Sequence, residues 1–92
     1  MIQSFRHAGL EKFFLSGSKG GIQPEHAARL EEQLSVLQVA KRPKQMDVPG
    51  WGLHPVQGKR KGQWAVWASA SWRLIFQFEG EDAIQVDYEE YR

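Results

Sequence analysis

From Trp51 onward the hydrophobic period of the chain is two, and this commits its second half to a sheet. Gln63-Trp64-Ala65-Val66-Trp67-Ala68 and Trp72-Arg73-Leu74-Ile75-Phe76-Gln77-Phe78 are rich in aromatic and β-branched residues. The small residues Ser69-Ala70-Ser71 join them, so the pair predicts an antiparallel hairpin. Glu79-Gly80-Glu81-Asp82 reads as the next turn and Ala83 to Tyr88 as the next strand. Alternation places Trp72, Leu74, Phe76 and Phe78 on one face, and Arg73, Ile75 and Gln77 on the other.

The first half has a different period. Ile2 to Phe5 is short and extended, and His7 to Phe14 carries Leu10, Phe13 and Phe14 at helical spacing. The run Ser16-Gly17-Ser18-Lys19-Gly20-Gly21 ends that helix; without a preceding strand or a closing Lys-Ser/Thr pair, it does not fit a phosphate loop. Pro24 and Glu25 suit the first turn of a second helix, whose stripe of Ala27, Leu30, Leu34 and Leu37 runs to about Ala40 and stops before Pro43. The order predicts a single α+β domain over residues 1–92, with an N-terminal strand and two helices packed on one face of an antiparallel sheet. If the helices cover the aromatic face, Arg73 stands on the open, concave side.

A chain of 92 residues has room for one core and one site. The absence of Cys excludes disulfides, thiolate metal sites and a Cys nucleophile, and fits a reducing compartment. His7, His26 and His54 are too far apart to form a helical metal pair, and without Cys a structural zinc site is not expected. No apolar run is long enough to span a bilayer and no basic-capped leader opens the chain, which predicts a cytoplasmic protein with no membrane partner. Net charge is only +1, but the charges are unevenly placed. Lys41, Arg42, Lys44, Lys59, Arg60, Lys61 and Arg73 lie mid-chain with only Asp47 among them, whereas acidic residues crowd the end. The pattern fits either a basic face or solvated charges spread round the molecule.

The groups left for chemistry are His54 before Pro55, the basic turn Gly58-Lys59-Arg60-Lys61-Gly62, Arg73, and the terminal Tyr88-Glu89-Glu90-Tyr91-Arg92. They suit phosphodiester chemistry. Cleavage of RNA by its own 2′-hydroxyl needs a base for that proton, an acid for the leaving oxygen and cations to hold the phosphorane charge. A His or carboxylate can serve first, a His or Tyr second, and Arg or Lys third, while exposed Tyr and Trp can stack on splayed bases. Taken singly, a structural His54, a surface turn at 59–61 and a core Tyr91 are each the more ordinary reading.

Gly9-Leu10 followed by Phe13 or Phe14, Leu53-His54-Pro55, Gly58 then Arg60, Gly62 then Trp64, Trp72-Arg73, Phe76-Gln77-Phe78 and Asp87-Tyr88-Glu89-Glu90-Tyr91 occur in one order along nearly the whole chain. In this the chain resembles the HigB-type killer proteins of the RelE-like group. The resemblance implies a microbial-RNase-like fold, cleavage of messenger RNA in the ribosomal decoding site, and no cofactor. It also implies neutralisation by a helix-turn-helix antitoxin, with operator DNA reached only through that antitoxin. His54, Arg73, Glu90, Tyr91 and Arg92 then form the catalytic set, and Gln57, Lys59, Arg60 and Lys61 the RNA contacts. Three positions depart from the family pattern: Gln57 replaces a Lys, Glu90 an Asp and Arg92 a His. Gln57 loses a cation, Glu90 keeps its charge with a longer reach, and Arg92 cannot titrate near neutrality. A relative of the same fold that binds antitoxin or ribosome without efficient cleavage is the alternative.

Overall fold

The computed structural model describes residues 1–58 and 62–91. Helix α1 spans Ala8–Ser16 and α2 Ala27–Val39; the strands are β1 (His54–Pro55), β2 (Gln63–Trp67), β3 (Trp72–Glu79) and β4 (Asp82–Glu90). The sheet is antiparallel throughout, in the order β1-β2-β3-β4. This is the expected α+β arrangement, and the hairpin of β2 and β3 falls where the two-residue period put it.

Local chemistry sets the helix ends. The Leu10 N–H donates to His7 Nδ1 at 2.9 Å, filling one of the unpaired donors that open a helix, and Gly17 closes α1 at φ 79. The second helix does not begin at Pro24 as a regular α-helix. Pro24–His26 form a 3₁₀ turn, and α-helical geometry starts at Ala27. Leu30, Leu34 and Leu37 then point into the core with Leu10 and Phe13 of α1. They meet Val66, Leu74, Phe76 and Val86 from the sheet, each such side chain contributing about 1.5–3 kcal/mol by leaving water. Trp72 and Phe78 share that face but are only half-buried, being at its margins.

The N-terminal segment is reduced to two isolated parallel bridges, Ile2 to Ala83 and Phe5 to Val86. The cause lies in β4. Ile75 pairs with Asp87 and Gln77 with Ile84, so Phe76 alone faces both Gln85 and Val86. This is a β-bulge, and Gln85 takes φ 54 to make it. The Gln85 N–H turns to Ser4 Oγ at 2.9 Å, so the backbone ladder with the N-terminal segment is interrupted between its two bridges. Past the bulge, Val86 and Tyr88 return to the helix-covered face, leaving Asp87 and Glu89 on the other.

Candidate active site

Three strand registers assemble one row of side chains on the face that the helices leave uncovered. His54 pairs with Ala65, Trp67 with Arg73, and Arg73 with Glu89. Directly paired residues project to the same side of a sheet, so the row follows from register. Tyr91 joins it from the end of β4, where its N–H donates to the Ser71 carbonyl at 2.6 Å. Together with Gly52, Pro55, Val56 and Gln57, the residues His54, Trp67, Arg73 and Tyr91 line a cleft of about 670 Å³.

Arg73 is at the centre. It is on the expected face but not open to solvent: only 7% of it is exposed. Its Nη2 donates to Glu89 Oε2 at 2.8 Å and its Nη1 to His54 Nε2 at 3.3 Å. The Tyr91 ring lies 4.5 Å from the guanidinium carbon and the Trp67 ring 5.9 Å, both within reach of a cation–π attraction. Two aromatic walls and an ion pair therefore take up a charge that would otherwise seek water. The buried Nε has no hydrogen-bond partner among the described residues.

The same contacts define the protonation of His54. Its Nδ1 lies 2.8 Å from the Gly52 carbonyl, an oxygen that can only accept, so Nδ1 carries the hydrogen. Nε2 then holds the lone pair that accepts from Arg73. The ring stacks on Trp67 at 5.3 Å between centroids and an interplanar angle of 26°. Trp67 in turn meets the edge of Tyr91 at 5.6 Å. Among the described residues, no three His, Asp or Glu side chains are grouped so as to hold a metal ion, and no helix is long and apolar enough to cross a membrane.

A conserved-sequence family described as the RelE-like toxin of the type II toxin-antitoxin system HigB matches residues 3–92. The chain belongs to this HigB-like toxin family. Among its relatives is the endoribonuclease HigB of Proteus vulgaris, 34% identical over 91 residues, an alignment covering 99% of each chain.

In this HigB-like toxin, the structure brings together His54, Gln57, Arg73 and Tyr91 of the residues picked out by sequence. Tyr91 is 52% exposed, so the core reading of that residue is corrected. Glu90 pairs in register with Trp72, which projects to the helix-covered side, so Glu90 does not join the row of Arg73. Its neighbour Glu89 does, because alternation along β4 sends successive side chains to opposite faces. Lys59, Arg60, Lys61 and Arg92 lie outside the described residues. Sequence reasoning missed Trp67 and Glu89. The available signal was positional: folding the hairpin at Ser69-Ala70-Ser71 sets Trp67 opposite Arg73, and counting on from core Tyr88 sets Glu89 on the Arg73 face.

Proposed function

We propose that this type II toxin is a metal-independent endoribonuclease that cuts messenger RNA held in the ribosomal decoding site, and so stops translation. Its partners in this reading are the ribosome with its message and a HigA-like helix-turn-helix antitoxin, through which alone it reaches operator DNA. It acts in the cytoplasm, where translation occurs. The observation that carries the reading is Arg73: a nearly buried guanidinium, held by Glu89 and His54 and walled by two rings, at the centre of a cleft wide enough for a nucleotide. The toxin family and the name of the Proteus relative support the same chemistry.

In the proposed reaction, the 2′-oxygen attacks the adjacent phosphorus, a cyclic 2′,3′-phosphate forms, and the bond to the 5′-oxygen breaks, that oxygen leaving as a hydroxyl with a proton taken from water. Arg73 turns its fork to the phosphate oxygens and holds the charge that grows on them. Releasing Nη1 from His54 frees the Nε2 lone pair, which takes the 2′-hydroxyl proton. Tyr91 packs against the RNA, and Arg92 belongs to the same proposed catalytic set. Gln57, which lines the cleft, and the cations Lys59, Arg60 and Lys61 that follow it in the sequence contact the RNA backbone.

Single-turnover cleavage on programmed ribosomes tests this directly. Arg73→Ala is expected to lower the rate by about a hundred- to a thousandfold, the usual loss for one donor to a developing oxyanion. Arg73→Lys recovers only part, because an ammonium lacks the forked geometry. Cleavage within a fewfold of wild type, in a variant shown to be folded, would remove Arg73 as the phosphate ligand. Wild-type protein that sediments with ribosomes yet leaves the message intact would favour the binding-only relative, in which Gln57 lacks a cation and Arg92 cannot titrate near neutrality.

A further inference from the structure

Trp67 is a wall of two hollows. Besides the cleft of Arg73, it lines a second depression of about 390 Å³ with Arg29, Gly50, Ser69 and Ala70. This wall is held from three directions. The Trp67 N–H donates to the Trp51 carbonyl at 2.8 Å, and the Trp67 carbonyl accepts from Gln33 Nε2 at 2.9 Å. Gln33 is fully buried in the helix–sheet interface, and its Oε1 has no partner among the described residues. A Leu or Met would fill the same space without that desolvation cost, so packing alone does not account for the carboxamide. Its one bond fixes the backbone of Trp67. On the third side, Gly52 sits at φ +63, and a Cβ there would approach Trp67 Cδ1 to 2.8 Å.

Arg29 stands four residues before Gln33, one turn back along α2. The helix that fixes the wall thus also sets a cation at the second hollow. Among the described residues Arg29 makes no ion pair, so no described carboxylate takes up its charge. A cation and an aromatic wall, side by side, are what single-stranded RNA binding uses for backbone and base.

We infer that this hollow is a second nucleotide subsite, which takes the nucleotide next to the scissile phosphate with its phosphate on Arg29 and its base against Trp67. The inference rests on the reading of the first cleft as a ribonuclease site. Two nucleotides anchored on either side of one rigid wall hold the bond between them in place, and Gln33 acts as a positioning residue by keeping that wall still.

The test crosses a protein change with a substrate change. Messages carrying an uncharged methylphosphonate at the linkage on either side of the scissile phosphate are presented on programmed ribosomes to wild type and to Arg29→Ala. One of the two linkages is expected to raise the half-saturating concentration of wild type severalfold and to lower its maximal rate. Arg29→Ala is expected to do the same on the natural message, to lower the salt slope of binding by about one, and to show no further loss on the modified one. Losses that add, or an Arg29→Ala protein that matches wild type, overturn the subsite. So does a variant that cleaves normally but binds antitoxin less tightly, which assigns the hollow to a protein. Wild type that leaves the natural message intact overturns the ribonuclease reading and the subsite with it, whereas the preceding failures leave that reading standing.

Discussion

On one face of the sheet, Val66, Leu74, Phe76 and Val86 are buried by hydrocarbon from α1 and α2; on the other, Arg73 is buried almost as deeply by two rings, an imidazole and a carboxylate. The first face is stabilised by area removed from water and has no direction to it. The second is defined by hydrogen bonds of fixed geometry, and only Val56, Ala65 and Ile75 form a small apolar cluster beside it. Burial in the first case holds the fold together. In the second it preserves a charge at strength, since a guanidinium screened from water acts on a nearby phosphate through a lower effective dielectric. A contrast of this kind predicts that damage to one face should be read in stability and damage to the other in chemistry.

The largest effect should come from Phe76→Ala. Phe76 is fully buried, and its loss is expected to cost about 3–5 kcal/mol in urea unfolding, with the cleavage rate per folded molecule kept. A melting curve like that of wild type would break the division at once. Gly52→Ala probes the other side. An alanine at φ +63 costs about 1–2 kcal/mol, but its Cβ must also push the Trp67 ring out of its stack on His54. Cleavage should therefore fall by more than the loss of folded protein explains, with a change in tryptophan fluorescence. A drop in activity that merely tracks the folded fraction would mean that the wall does not position anything.

The smallest and sharpest effect concerns Tyr88 on the helix face. Its hydroxyl lies 2.6 Å from His26 Nδ1 in a buried pair, and burial pushes the phenol above its ordinary value of about 10. A hydrogen bond from the Gln23 N–H pulls the other way, and Glu25 adds to the rise. Because the folded phenol holds its proton longer than the unfolded one, this stability is fully present below about pH 10 and is lost as pH rises through the folded value. Tyr88→Phe should cost about 1 kcal/mol at neutral pH, and its melting temperature should fall less steeply than that of wild type above about pH 10. Parallel alkaline curves for the two proteins would show that Tyr88 does not carry the shift.

Much of the fold was legible because side-chain period is a local property. The alternation through Trp72 to Phe78 placed Arg73 opposite the large aromatics, and the stripe of Leu30, Leu34 and Leu37 marked the helix that covers them. His54 and Tyr91 were reached through the family resemblance, and the cleft holds both. Glu89 was passed over for Glu90, although counting on from Tyr88 separates them.

Local pattern was enough to say which residues alternate, where helices start and stop, and which groups could move a proton or hold a phosphate. Which of those groups meet was fixed by contacts between distant segments. The bulge at Gln85 lets Val86 and Tyr88 share a face with Ala83, and the register of β1 against β2 brings His54 within 3.3 Å of Arg73 across 19 positions of chain. Neither is written in local pattern, because register and bulge are chosen by pairing between strands, and the free energy of that pairing belongs to two segments at once. The burial of Arg73 has the same origin: its charge is tolerated because Trp67, Glu89 and Tyr91 arrive from other strands to enclose it.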